Sequence, residues 1–346
     1  MICRLLKTIV IINATIMAGI LSCSESGKSQ KNGNEGVDDV GRVISLSHPE
    51  LFGAEASGAN SKRAVIDDCG RKVDIPADPR RIVALATADV EILFALGVGD
   101  RLIGIPDGVK YPPAALSIER IGGMYGRFSA EKIVGRSPDL VLMTISGWGQ
   151  YRKHLDMLES HNITTLGLNY PSNYDELIAQ VRRIGFITGE YSAAALLSDS
   201  LERRRTAIVD KTLYLDDAER PRVYIEWISQ EGGRGSTCGA TGRNHEIITI
   251  AGGANIFAER TETSFTASDE EVISRNPQVI IITSDTTRMN VAKARAMLAA
   301  RSGWSQTDAL QKNRIFVIDH QLTWANPRMI QGIELCARLI HPELFK

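Results

Sequence analysis

Residues Gly189 to Leu213 read GEYSAAALLSDSLERRRTAIVDKTL, with no proline and with glycine only at the first position. Ala and Leu recur along the stretch and Glu and Arg are interspersed. That is the composition of one long helix of about 24 residues, roughly 36 Å at 1.5 Å per residue. A long helix alone decides little. Its flanks decide more, because one pattern stands on both sides of it.

Before the helix, Ser129 to Thr144 reads SAEKIVGRSPDLVLMT; after it, Ser268 to Thr283 reads SDEEVISRNPQVIIIT. Both copies predict a Ser N-cap, a short helix, a proline just past its end, and an apolar run that reads as a buried strand. A fainter echo pairs Glu91-Ile92-Leu93 through Gly97 with Glu246-Ile247-Ile248 through Gly252. Two matches in the same order around a long helix predict two related α/β lobes.

The chain has 346 residues, 43 % of them hydrophobic, and a net charge of −1. The size allows one to three domains with sizeable cores. No basic stripe stands out, which argues against nucleic acid as the main partner. Arg4 and Lys7 precede an apolar run, Thr8 to Ile20, too short to span a bilayer comfortably, so residues 1–22 read as an export signal. The run ends in Ile20-Leu21-Ser22-Cys23, which resembles a bacterial lipobox. Lipidation is therefore expected at Cys23, against the alternative of an ordinary signal followed by a coincidental cysteine.

Residues 23–62 are rich in Ser, Gly, Asn, Glu and Asp and read as a flexible tether with a reach of roughly 35 Å. Its apolar piece, Val43 to Phe52, reads either as part of the tether or as packed on the body. With Cys3 in the signal and Cys23 lipidated, Cys69, Cys238 and Cys336 remain. Three cysteines without a Cys-x-x-Cys indicate neither a disulfide scaffold nor a zinc site.

From Arg63 onward strands alternate with helices. A hairpin turns near Cys69-Gly70, Arg81 to Leu85 is a buried strand, and Thr87-Ala88-Asp89 caps a helix ending at Gly97. Further strands are expected at Arg101–Ile105, Thr164–Leu168, Arg222–Trp227 and Arg314–Ile318. Further helices are expected at Gly149–His161, Tyr174–Phe186, Asn244–Ala251, Val291–Ala300 and Pro327–Ile340. The alternation implies mainly parallel sheets covered on both faces. The expected division is an N-terminal lobe at 63–188, the connecting helix at 189–213 and a C-terminal lobe at 214–346.

These residues also carry a family resemblance. The series runs from Asp68-Cys-Gly-Arg71 through Pro79-Arg-Arg-Ile-Val-Ala-Leu85 and Glu91 to Gly104. It continues with Tyr111-Pro-Pro, Pro138-Asp-Leu-Val, Ala251-Gly-Gly-Ala-Asn-Ile-Phe257 and His341-Pro-Glu-Leu-Phe345. In order and spacing it resembles the helical-backbone (class III) substrate-binding proteins of ABC importers, over about Arg63 to Lys346. The resemblance implies two Rossmann-like lobes joined by one rigid helix. It also implies a ligand such as cobalamin, haem or a ferric siderophore held in the cleft. It implies, as partners, a permease and its ATPase. Glu131 and Glu270 match family positions that pair with permease arginines. No cofactor of the protein's own is expected, and a monomer is.

In open α/β sheets, ligands lie beyond the carboxyl ends of the strands. The loops there hold Tyr111, Tyr125, Trp148, Trp227, Arg243, His245 and Trp324, an aromatic-rich set suited to gripping a large, partly apolar chelate. Tyr125 and Trp148 are the first choices. The run Gly232-Gly-Arg-Gly-Ser-Thr-Cys-Gly-Ala-Thr-Gly242 misses the dinucleotide fingerprint by one residue and contains no P-loop. It reads instead as a loop whose backbone approaches a ligand. Tyr111-Pro-Pro-Ala and the aromatic before the Glu131 helix, Tyr125, resemble the cobalamin-binding branch, and the cleft set holds more aromatics than basic residues, so a corrinoid is expected ahead of a ferric siderophore. The alternative from another class is an exported α/β enzyme, although no H-E-x-x-H or G-x-S-x-G occurs.

Overall fold

The computed structural model describes residues 44–45, 63–123, 127–145, 148–228 and 234–346. The signal segment, Cys23 and most of the tether lie outside them.

Apolar runs form two four-stranded parallel sheets. The first contains β4 (Ile82–Ala84), β5 (Leu102–Gly104), β6 (Leu140–Ile145) and β7 (Thr165–Asn169), in the order β5-β4-β6-β7. The second contains β8 (Arg222–Trp227), β9 (Ala254–Asn255), β10 (Val279–Ser284) and β11 (Ile315–Asp319), in the order β9-β8-β10-β11. The two orders are the same, so the repeat seen in sequence is a repeat of topology. A hairpin of β2 (Arg63–Ile66) and β3 (Lys72–Ile75) leads into the first sheet. Within the apolar piece of the tether, β1 (Ile44–Ser45) pairs with β2 in parallel.

Helices cover the sheets: α1 (Thr87–Ala95), α2 (Ala130–Arg136), α3 (Trp148–Ser160) and α4 (Tyr174–Thr188) in the first lobe. In the second are α6 (Arg243–Ile250), α7 (Asp269–Arg275), α8 (Val291–Ala299), α9 (Asp308–Gln311) and α10 (Met329–Ile340). The repeated units agree in detail. Ser129 Oγ accepts from Lys132 N at 3.2 Å, and Ser268 Oγ accepts from Glu271 N at 3.3 Å. Both seven-residue helices end on a left-handed residue, Ser137 or Asn276, directly before the proline.

The cap expected at Thr87 to Asp89 is a correction. Ala86 is the N-cap and has no side-chain acceptor to offer, while Thr87 and Asp89 are buried residues of the helix's first turn. Asp89 instead accepts from Gln180 Nε2 at 3.0 Å and from Thr144 Oγ1 at 3.5 Å. Burial pushes its carboxyl up to about 6, against the pull of those bonds and of Arg183, itself paired with Asp68. A carboxyl raised on folding contributes its stability below the unfolded value and loses it as pH rises through the folded one. Stability should therefore fall between about pH 4 and pH 6, and Asp89→Asn should gain about 1–3 kcal/mol near pH 7 with little change near pH 4. Thermal melts at the two pH values check this; equal effects at both would contradict it.

The connecting helix, α5, spans Tyr191–Thr212, 22 residues. It starts later than expected because Gly189, at φ 81°, is the left-handed C-cap of α4. Its buried stripe, Ala194, Ser198, Leu201, Ile208 and Thr212, faces both lobes. Toward the first lobe, Gly185 of α4 lies so close that a Cβ there would fall 2.2 Å from the Ala194 Cβ. Toward the second, Arg204 makes a bidentate pair with Glu334 of α10, both bonds 2.7 Å. A helix packed hard against both lobes is a stiff joint.

Candidate functional site

A cleft of about 510 Å³ opens beyond the carboxyl ends of the strands. Tyr170, directly after β7, forms its wall from the first lobe. Trp227 at the end of β8, Thr283 in β10 and Trp324 beyond β11 form the wall from the second. The glycine-rich loop adds Ser236, Thr237 and Cys238.

Two kinds of surface meet here. Trp227 and Trp324 offer flat indole faces, and Trp227 is 43 % exposed although it ends a strand. Between them stand hydroxyls. Thr237 Oγ1 and Thr283 Oγ1 are buried and have no hydrogen-bond partner among the described residues. A buried hydroxyl without a partner carries a desolvation penalty, which a ligand's polar group can relieve. Arg243 is the cation in the described lining. It donates to Pro171 O at 2.9 Å, and its guanidinium lies 5.2 Å from the centre of the Tyr170 ring, so it reaches from one lobe to the other.

Burial pushes the Cys238 thiol up to about 11, leaving it a neutral wall residue rather than a nucleophile. His245 does not line the cleft. It sits in α6 with Nδ1 3.4 Å from Asn255 Nδ2, and burial lowers its pKa, which favours a neutral ring. Among the described residues no group of three His, Cys, Asp or Glu side chains converges as a metal site would require. Tyr125 and the side chain of Trp148 lie outside the described residues.

The fainter sequence echo marks contacts between the lobes. Glu91 of α1 takes a bidentate pair from Arg328 of the second lobe, Nε at 2.8 Å and Nη2 at 2.7 Å. Its counterpart Glu246, in α6, accepts the N–H of Tyr174 at 2.9 Å, satisfying a free donor at the start of α4. Burial pushes both carboxyls up, and these donors pull them back. Tyr111 does not line the cleft; the Arg328 guanidinium stands 4.2 Å from its ring centre. Neither glutamate was singled out from sequence as a site residue, although the echo already marked both.

Glu131 and Glu270 are exposed in the first turns of the equivalent helices α2 and α7. Glu271, by contrast, is occupied: its Oε2 accepts the Ser268 N–H at 2.9 Å in a capping box.

Comparison with known proteins agrees with this architecture. The family model for periplasmic binding proteins matches residues 82–322. A Bacillus subtilis (strain 168) protein named as an uncharacterized ABC transporter substrate-binding lipoprotein, YvrC, is 30 % identical over 283 residues, covering 81 % of this chain and 86 % of the relative. A cobalamin-binding protein of Halobacterium salinarum is 27 % identical over 281 residues, covering 80 % and 73 %. The apo structure of the periplasmic heme-binding protein RhuT from Roseiflexus sp. RS-1 matches with a TM-score of 0.65 at 22 % identity, over 77 % of this chain and 99 % of that one, a likeness of fold. The enzyme alternative is set aside: with two lobes of one topology, a stiff connecting helix and a cleft at the strand ends, this chain is a binding protein and belongs to the periplasmic binding protein family.

Proposed function

We propose that this protein is the lipid-anchored receptor of an ABC importer and that its ligand is a corrinoid. Import of a metal chelate fits the relatives, among them a lipoprotein and a cobalamin-binding protein. The observation that carries the choice of ligand is the lining of the cleft. Indoles and neutral hydrogen-bonding groups dominate it, with Arg243 as the described cation. A corrinoid presents a broad apolar ring edged with amides, and it needs faces to pack on and hydroxyls to bond. A ferric tris-catecholate carries several negative charges and calls for a cluster of guanidinium groups. The ferric siderophore stays as the second reading, because a glycine-rich loop beside Arg243 can offer backbone N–H groups to an anion.

In this account Cys23 carries the lipid, the chain acts as a monomer facing the periplasm or cell exterior, and Glu131 and Glu270 dock the two lobes on the permease. Among the described residues no helix is long and apolar enough to cross a membrane. Calorimetric titration with cyanocobalamin, haemin and a panel of ferric siderophores tests the ligand. Cyanocobalamin should bind with a Kd below about 1 μM, a free energy of about −8 kcal/mol or better. Siderophore binding in that range without cobalamin binding would reverse the order.

A further inference from the structure

The shared topology gives each strand residue a counterpart in the other lobe. Ile82 of β4 lies opposite Leu140, and Val223 of β8 lies opposite Val279. Leu140 and Val279 are equivalent in the repeat, so Leu85, the residue directly after β4, corresponds to Glu226 in β8. Leu85 is a buried apolar residue, as a strand between two helical layers requires. Glu226 is a carboxylate, only 1 % exposed. Desolvating a carboxylate and its partner guanidinium is costly, and an apolar pair serves stability as well or better. The charge therefore calls for a different explanation.

Its contacts supply one. Glu226 forms a bidentate pair with Arg301, at 2.9 and 3.0 Å, and Oε1 also accepts the N–H of Gly235 at 2.7 Å. Gly235 is pressed so closely on β8 that a Cβ there would lie 2.3 Å from the Trp227 carbonyl oxygen. From this point the loop bonds to both of its neighbours. Ser236 exchanges two backbone bonds with Trp227, and Thr237 exchanges two with Phe265. Ser236, Thr237 and Cys238 are the loop's contribution to the cleft.

The same frame continues outward. The Arg301 guanidinium stands 4.8 Å from the Trp304 ring centre. Trp304 Nε1 donates to Asp269 Oδ1 at 2.9 Å, and Arg234, directly before Gly235, donates to Asp269 Oδ2 at 2.6 Å. Asp269 is the first residue of α7, next to Glu270; the equivalent residue of α2 is Ala130.

We propose that Glu226 is the positioning residue of the cleft wall: with Arg301 it clamps Gly235–Cys238 against β8, and through Trp304 and Asp269 it joins that wall to α7. The consequence, which rests on the reading of the cleft as the ligand site and of Glu270 as a docking residue, is that the second lobe alone couples occupancy of the cleft to contact at its outer helix. Such coupling is reciprocal. A partner seated on α7 loosens or tightens the loop, and a ligand in the cleft does the same to α7.

The test uses ligand-free full-length protein, so it is independent of which chelate binds. The double variant Glu226→Leu/Arg301→Met gives the second lobe the apolar character that Leu85 gives the first. Amide exchange at Ser236 and Thr237 should accelerate about tenfold or more, while Ile280 to Ile282 in β10 and the melting temperature hold. Glu226→Gln, which keeps the shape if the double variant folds poorly, should produce the same local acceleration. Asp269→Asn, remote from the cleft, should speed exchange at Gly235 and Ser236 as well as in the first turn of α7. Exchange at Ser236 and Thr237 within about twofold of wild type in the Glu226 variants would overturn the proposal. So would a rise spread evenly over the lobe with a lower melting temperature, since that marks a stability element. Failure of cyanocobalamin to bind in the titration would count against the corrinoid reading and leave this result untouched.

Discussion

Cells carrying the Glu131→Ala/Glu270→Ala double variant should lose uptake, while the purified variant binds ligand and melts as wild type does. The expectation rests on symmetry. The two carboxylates occupy the same place in two copies of one unit, exposed at the first turns of α2 and α7. A carboxylate that meets an arginine in an interface typically costs about 2–5 kcal/mol when truncated, so losing both should weaken docking about a thousandfold or more. The competing explanation is that each glutamate merely favours its helix dipole, a contribution of about 0.3–1 kcal/mol. That explanation predicts a lower melting temperature and nearly normal uptake. Uptake measured beside thermal melts separates the two, and each single variant should fall between wild type and the double variant.

Trp227→Ala and Trp324→Ala should each weaken the ligand by about 1–3 kcal/mol, the usual range for an aromatic anchor at the centre of a binding surface. Trp227 supports this best, because a large indole at a strand end stays 43 % exposed. The hydroxyls provide a control with opposite signs. Thr283→Val removes a buried group that has no partner among the described residues. It should therefore hold or raise the melting temperature of the free protein while lowering ligand affinity by about 1 kcal/mol. Calorimetry and melting on the three variants check the set. Affinity unchanged in both tryptophan variants would return those rings to packing.

The architecture could be read from sequence because it is repeated. Ser129 and Ser268, Pro138 and Pro277, and the apolar runs after them are local signals, and finding them twice in order revealed two lobes. Boundaries were less accessible. Gly189 looks like the start of the long helix, yet with φ at 81° it closes the helix before. Partners far apart in the chain were harder still. Arg328 and Glu91 are separated by 237 residues, and no local pattern announces that they meet. Glu226 presents the same difficulty in sharper form. Within Arg222-Val-Tyr-Ile-Glu-Trp227 it reads as an outward polar residue of an alternating strand, whereas Arg301 and Gly235 hold it inside the protein. Tyr111 packs against Arg328 and is not in the lining of the cleft, whereas Trp227, Arg243 and Trp324 line it because the segments beyond the strand ends converge there. His245 does not, because its turn of α6 points toward Asn255 instead.

The most direct measurement is the absorption spectrum of the full-length protein purified under native conditions from the cells that make it. The account predicts corrin bands at close to one equivalent per chain, lost on denaturation and restored when cobalamin is added back to refolded protein. A haem Soret band or the charge-transfer band of a ferric catecholate would contradict the corrinoid assignment. A colourless protein whose melting temperature rises with none of the three chelates would contradict the claim that this cleft captures a metal chelate at all.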